Sequence, residues 1–415
     1  MNYVAPYISF PFAMWLLSRL IILCAMLFVA PLIPSPPNGV AAKFGWDVFS
    51  AWDSQWYHLI TENGYEFSLE KKQNSVAFFP LFPLLTRGLM SFGIPFHISG
   101  TLINNFAFLA ALIILYLWVA ERYDKSTAQW ATAILAWCPY SIYGTVIYTE
   151  GLFLLCSTSA LRAFDKKQYA WVGLWGALAT ATRVTGMALV PAFLLTSWLQ
   201  KRTLKAFISS LAVGSGLFLY CLYCQLKFND ALAFLHAQKG WRSSYGFDWQ
   251  GWGKILMEIV VGPANAGSGY IKDFWYPLGF ATIIGCAYLL WLYRQKLGSV
   301  KVRYGFYCLW FLLWIIAGDS LIKIILIFGG LILLCFSIKK IPLAAVIYGF
   351  CSYAIVLNTG LTASVERYVY AIVPLSYACG LLLARYPRWG YLVISFCVIP
   401  LFSFSIRFCQ KLWLA

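Results

Sequence analysis

GWDVFSAWDSQWYHLITENGYEFSLEKKQNSVAFFPLFPLLT, residues 45–86, decides how the rest of the chain is read. It gathers Asp47, Asp53, Glu62, Glu66 and Glu70, a third of the chain's 15 acidic residues, between segments apolar enough to sit in a bilayer. Carboxylates are costly in hydrocarbon, so a cluster of them marks chain outside it and defines the flanking apolar runs as membrane spans. Acids this dense in an acid-poor protein also suggest a task. The reading is that they lie at the outer mouth of a membrane-embedded cavity.

Outward from this stretch, the composition agrees. The chain has 415 residues, of which 61% are hydrophobic and 11% charged, and its mean hydropathy is +0.73. One soluble core does not bury that much apolar surface; lipid does. The ten-residue alternation of an outer-membrane barrel is absent, which leaves helices. The first span is expected at 8–30, with Arg19 near its middle as an anchoring, snorkelling side chain or one facing the bundle. It is read as a retained anchor, because its apolar run is long for a signal peptide and no small-residue cleavage pattern follows. Further runs lie at about 100–120, 127–147, 150–164, 169–182, 184–199, 205–226, 274–293, 304–317, 319–337, 341–357, 366–384 and 389–409. The fold class is therefore an all-α polytopic membrane protein of about 11–13 transmembrane helices, a single membrane domain over residues 1–415. Two external insertions are expected, 31–99 and 227–273.

The formal net charge is +16. The basic residues form short clusters between apolar runs, at 121–125, 162–167, 200–205, 294–303, 339–340 and 385–388, which fits topology anchoring and contact with membrane lipids rather than nucleic acid. A cytoplasmic N-terminus places all of these clusters inside and about four-fifths of the acids outside. The active site is then expected on the extracytoplasmic face. The 12 cysteines lie mostly within apolar runs without ligand spacing, and they read as small core hydrophobes.

Asp47 and Asp53 each follow a tryptophan, six residues apart. A carboxylate beside aromatic rings just outside a membrane suits a general base, and Asp53 is the stronger candidate; the alternative is a helix cap. His58, one helical turn on, is a candidate for holding a phosphate or helping to bind a metal. The proline pair in AFFPLFPLL (77–85) favours a broken or re-entrant element over a straight span, with a kinked interfacial helix as the alternative. Glu150 lies between two apolar runs behind Tyr143 and Tyr148, an intramembrane acid that marks a site or is satisfied at the surface. Arg183 and Arg367 stand on the outer side against the positive-inside trend, and planar guanidinium forks suit a phosphate. Glu366, next to Arg367, offers a local ion pair instead. In the second insertion, FLHAQKGWRSS (234–244) offers His236, Gln238, Lys239, Trp241 and Arg242 to sugar or phosphate, or forms a solvated amphipathic helix.

These segments in this order resemble the PIG-V family. WDSQWYHLITENGYE followed by AFFPLFPL is similar to the family's first-loop signature, an Arg-Trp-Asp-x-x-His-Phe pattern leading to Gly-Tyr and Ala-Phe-Phe-Pro. CPYSIYGTVIYTEGLF (138–153), ATATRVTGM (179–187) and ERYVYAIVP (366–374) resemble three later elements. Three departures stand out: Ala51 for arginine, Trp56 for histidine and Cys138 for asparagine. The resemblance implies a GT-C-like helical bundle and a glycosyltransferase, most simply a mannosyltransferase. Such an enzyme moves a hexose from an isoprenyl-phosphate carrier to a hydroxyl of a glycan or glycolipid acceptor, inverting the anomeric centre. It implies Asp53 as the base, with Glu150, Arg183 and Arg367 in or near the site. Asp47, His58, Gln238 and Trp241 are added as substrate-binding candidates. The first loop holds no Asp-x-Asp pair, so no cofactor is assigned; a divalent metal is left open. The short loops fit a prokaryotic inner or plasma membrane. A lipid-linked sugar flippase and an inactive assembly factor of the same fold are the rival readings.

Overall fold

A segment in lipid satisfies its backbone N–H and C=O groups internally only as a helix. The computed structural model describes residues 5–242 and 245–414, and it is helical throughout; an isolated bridge between Gly246 and Thr359 is the one strand-like pairing among them. The chain opens with α1 (Ile8–Leu32). The acidic stretch carries α2 (Asp53–Asn63) and α3 (Leu81–Met90). Next come α4 (Phe96–Arg122), α5 (Lys125–Trp137), α6 (Glu150–Asp165), α7 (Tyr169–Thr182), α8 (Val184–Leu199) and α9 (Leu204–Phe228). The second insertion holds α10 (Ala233–Ala237), α11 (Trp249–Val261) and α12 (Pro263–Ser268). The remainder is α13 (Trp275–Leu292), α14 (Arg294–Ala317), α15 (Asp319–Phe336), α16 (Leu343–Leu357), α17 (Val365–Tyr370), α18 (Val373–Arg385) and α19 (Pro387–Cys409).

Each anticipated apolar run holds a helix, but their lengths differ. Seven of them (α1, α4, α9, α13, α14, α15 and α19) are long and apolar enough to cross a membrane by length and composition. The runs at α5, α6, α7, α8, α16 and α18 have 17 residues or fewer, short of the ~20 that cross hydrocarbon without help. Glu150 and Arg183 of the site stand at the ends of two of these short helices. The basic stretch 294–303, expected as a cytoplasmic connection, is instead part of α14, which turns at Gly298 (φ +77°). The proline pair behaves as a break: a short 3-10 turn ends at Ala77, and α3 starts directly after Pro80.

The helices alternate between two ends. At one end the basic connections meet: Arg162 donates to Glu121 at 2.6 Å, Arg122 pairs with Asp165 at 3.3 Å, and Arg202 donates to the Phe164 carbonyl at 2.7 Å. The Tyr123 hydroxyl reaches the Lys340 carbonyl at the same end. The other end carries the start of α2, the start of α6, the α7–α8 junction and the α16–α17 connection. Between the ends, α4 packs on α5 and α6, α18 on α5, and α7 on α6. Trp118, Tyr116, Phe108, Phe153, Phe164 and Phe193 fill the core. By contrast, α13 and α14 pack on each other and are only 6% buried over their apolar windows.

Candidate active site

The site begins with an irregular segment, 138–149, that buried side chains hold open. A 3-10 turn, Pro139–Gly144, replaces the continuation of α5, because Pro139 cannot extend that helix. Its carbonyls would be stranded in a dry interior. Arg19 reaches across from α1 and donates to the Ser141 carbonyl (2.9 Å), the Thr145 hydroxyl (2.7 Å), the Ser141 hydroxyl (3.0 Å) and the Ala136 carbonyl (3.3 Å). It is 3% exposed, so it faces the bundle rather than snorkelling. Asn104 of α4 donates to the carbonyls of Tyr143 (2.7 Å) and Val146 (2.6 Å) and accepts from the Gly151 N–H (2.8 Å). A Cβ on Gly151 would lie 2.4 Å from the Asn104 carbonyl oxygen, so only glycine permits this approach. The first insertion is sewn to the same segment: Ser54 donates to the Ile147 carbonyl at 3.0 Å, and the Ile147 N–H donates to Phe49 at 3.0 Å.

Asp53 is the first residue of α2. Trp52 before it adopts φ +55°, ψ −113°, a conformation that costs a bulky residue about 1–3 kcal/mol. Its indole packs edge-on against Trp413, with centroids 5.1 Å apart. The Asp53 N–H donates to the Tyr148 hydroxyl at 3.3 Å. Its carboxylate does not cap the helix; it accepts from Arg367 Nη1 at 2.8 Å. Glu150, wholly buried at the head of α6, accepts from Arg183 Nη1 at 2.6 Å and lies 3.2 Å from Arg367 Nε. Arg367 Nη2 donates to the Tyr368 hydroxyl at 3.3 Å, and the Arg183 guanidinium lies over the Tyr368 ring. Glu366 does not pair with its neighbour Arg367; it binds Lys323 at 3.0 Å.

These groups border a cavity of about 470 Å³. Asp53, Arg183, Arg367, Gln238, Trp241 and Arg242 line it, joined by Tyr57, Tyr368 and Trp413, which the sequence reading did not place in the site. Glu150 lies behind the wall as the shared partner of both arginines. Burial, with the Asp53 carboxylate adding to it, pushes the Tyr57 phenol up, so it stays protonated. On the insertion side, Gln238 donates to the Ala77 carbonyl at 3.3 Å. Trp241 sits edge-on to Phe78 and Trp56, which stack on each other at 5.7 Å. His236 is taken by Asp230 at 2.7 Å.

Two candidates lie elsewhere. Asp47 is 90% exposed and pairs with His97 at 3.2 Å. His58 pairs with Glu62 at 3.0 Å and stacks on Phe96. Neither lines the cavity: both meet the start of α4, Asp47 through His97 and His58 through Phe96 and His97. Among the described residues no group of three or more His, Cys, Asp or Glu is arranged to hold a metal.

Residues 16–230, just over half of the chain, match the profile of the family described as Mannosyltransferase (PIG-V). The chain belongs to this family. Its PIG-V relatives include the GPI alpha-1,6-mannosyltransferase 2 of Cricetulus griseus, 26% identical over 274 residues, which are 56% of this chain and 51% of that protein. The human protein of the same name is 24% identical over 269 residues, with the same shares covered. The chain thus spans about half the length of the curated relatives it matches. Among solved structures, the apo oligosaccharyltransferase of Archaeoglobus fulgidus is similar at TM-score 0.48 and 14% identity, covering 98% of this chain and 56% of that one. The same protein with Zn and sulfate gives 0.49 and 13%, covering 97% and 53%.

Proposed function

We propose that this PIG-V family member is a membrane glycosyltransferase that moves mannose from an isoprenyl-phosphate carrier to a hydroxyl of a lipid-linked or membrane-proximal glycan. One observation carries the reading: a carboxylate, Asp53, and two guanidiniums, Arg183 and Arg367, border one cavity at the end of the bundle opposite the basic connections. A base and an anion clamp on one cavity are what glycosyl transfer from a phosphate requires.

The carrier phosphate enters against the guanidiniums and competes with Asp53 for Arg367, which releases the carboxylate to the acceptor. Asp53 takes the acceptor hydroxyl proton as its oxygen bonds to the anomeric carbon. The bond from that carbon to the phosphate oxygen breaks on the opposite face, and its electron pair leaves with the phosphate. The guanidiniums stabilise the charge that grows there, and a single displacement inverts the centre. Purified protein in nanodiscs, given polyprenyl-phosphate mannose and a glycolipid acceptor, is expected to release polyprenyl phosphate and lengthen the acceptor by one hexose with no membrane gradient. Movement of the intact donor across the bilayer without release would overturn the reading in favour of a flippase.

A further inference from the structure

Arg183 and Arg367 are balanced before any ligand arrives. Glu150 faces both, and Asp53 takes Arg367, so two carboxylates stand against two guanidiniums. Arg367 donates to Asp53 and to the Tyr368 hydroxyl, and its Nε lies 3.2 Å from Glu150. The cavity wall holds one further charged residue, Arg242, contributed by the second insertion. Arg242 is half-buried, and no ion pair joins it to a carboxylate among the described residues. The cluster therefore carries one uncompensated positive charge, the counterpart of the single negative charge of a phosphodiester.

Arg242 and Tyr368, whose hydroxyl accepts from Arg367, line the same cavity. Arg242 also lies beyond residue 230, where the match to the family profile ends, so nothing in that match assigns it.

We propose that Arg242 is a further donor-phosphate-binding residue, its guanidinium, without a carboxylate partner among the described residues, seating the phosphodiester of the lipid-linked sugar beside Arg183 and Arg367. This rests on the glycosyltransferase reading above. It is tested by equilibrium binding of radiolabelled polyprenyl-phosphate mannose to the full chain in nanodiscs without acceptor. Arg242→Ala is expected to weaken binding about tenfold or more, the cost of a charge-assisted hydrogen bond. Arg242→Lys keeps most of the affinity, and Lys239→Ala, a nearby charge off the cavity wall, leaves it unchanged. Unlabelled polyprenyl phosphate competes and inorganic phosphate at the same concentration does not, which separates a lipid-borne phosphate from a free one. A wild-type protein that binds no donor would overturn the transferase reading. A wild-type protein that binds, with Arg242→Ala binding equally well, would overturn the role of Arg242 alone.

Discussion

Asp53 shows what a single residue's surroundings add to its sequence context. Its position after a tryptophan suggested either a base or a helix cap, and the 2.8 Å contact with Arg367, 314 positions away, ties the carboxylate to the cavity's guanidinium instead of to the helix end. The contact with Arg367 fixes where this carboxylate points. Asp53→Asn keeps the shape and one hydrogen bond to Arg367 but accepts no proton. Transfer is expected to fall at least 100-fold, the lower range for losing general-base catalysis, while the purified variant elutes and melts as the parent does. A variant retaining a tenth of normal turnover would move the base to another group. Glu150, Arg183 and Arg367 were legible because charge in an apolar run needs a partner. Asp47 and His58 fall outside the cavity because spacing along a chain does not reveal that both side chains meet the start of α4.

At the scale of elements, the site depends on a segment that is not a helix. Residues 138–149 stay irregular because Arg19 and Asn104 supply the partners that a helix would have found in its own backbone. Neither residue announces this in the sequence: Arg19 reads equally as a snorkelling anchor, and Asn104 lies in a run that is otherwise plainly a span. Which way each side chain turns is a property of the packed bundle. Asn104→Ala strands the buried Tyr143 carbonyl and the Gly151 N–H, at about 1–3 kcal/mol for each stranded group, while the Val146 carbonyl keeps the Tyr148 N–H. The variant is therefore expected to melt at a clearly lower temperature in detergent and to lose activity through displacement of Glu150. An unchanged melting curve would show that the segment holds its shape without this prop. The count of spans was harder to read than their positions, because an apolar run of 13 or 16 residues looks alike whether it continues as helix or stops at a site.

For the whole molecule, the alternation of helices separates chemistry from anchoring. The basic connections between Arg122, Arg162, Arg202 and their partners gather at one end and the cavity lies at the other. With the positive end in the cytoplasm, the cavity faces outward. In sealed cells, Lys239→Cys is expected to react with a membrane-impermeant maleimide, and Lys125→Cys only after the membrane is opened. The reverse pattern would turn the site toward the cytoplasm. The basic stretch 294–303 is less legible: its charges predicted a loop, but the stretch is helical on either side of a break at Gly298.

The small bridge at the cavity mouth has a consequence for engineering. The Gly246 N–H binds the Asn358 carbonyl at 3.1 Å and the Gly360 N–H binds the Gly246 carbonyl at 2.9 Å, so residues more than a hundred positions apart share one hinge plate. That plate stands a few residues from Arg242 on one strand of chain and from Arg367 on the other. A chimera that exchanges the second insertion between relatives must therefore carry 358–364 along with it. Otherwise the transplanted loop arrives without the half of the clasp that sets its height above the carboxylate.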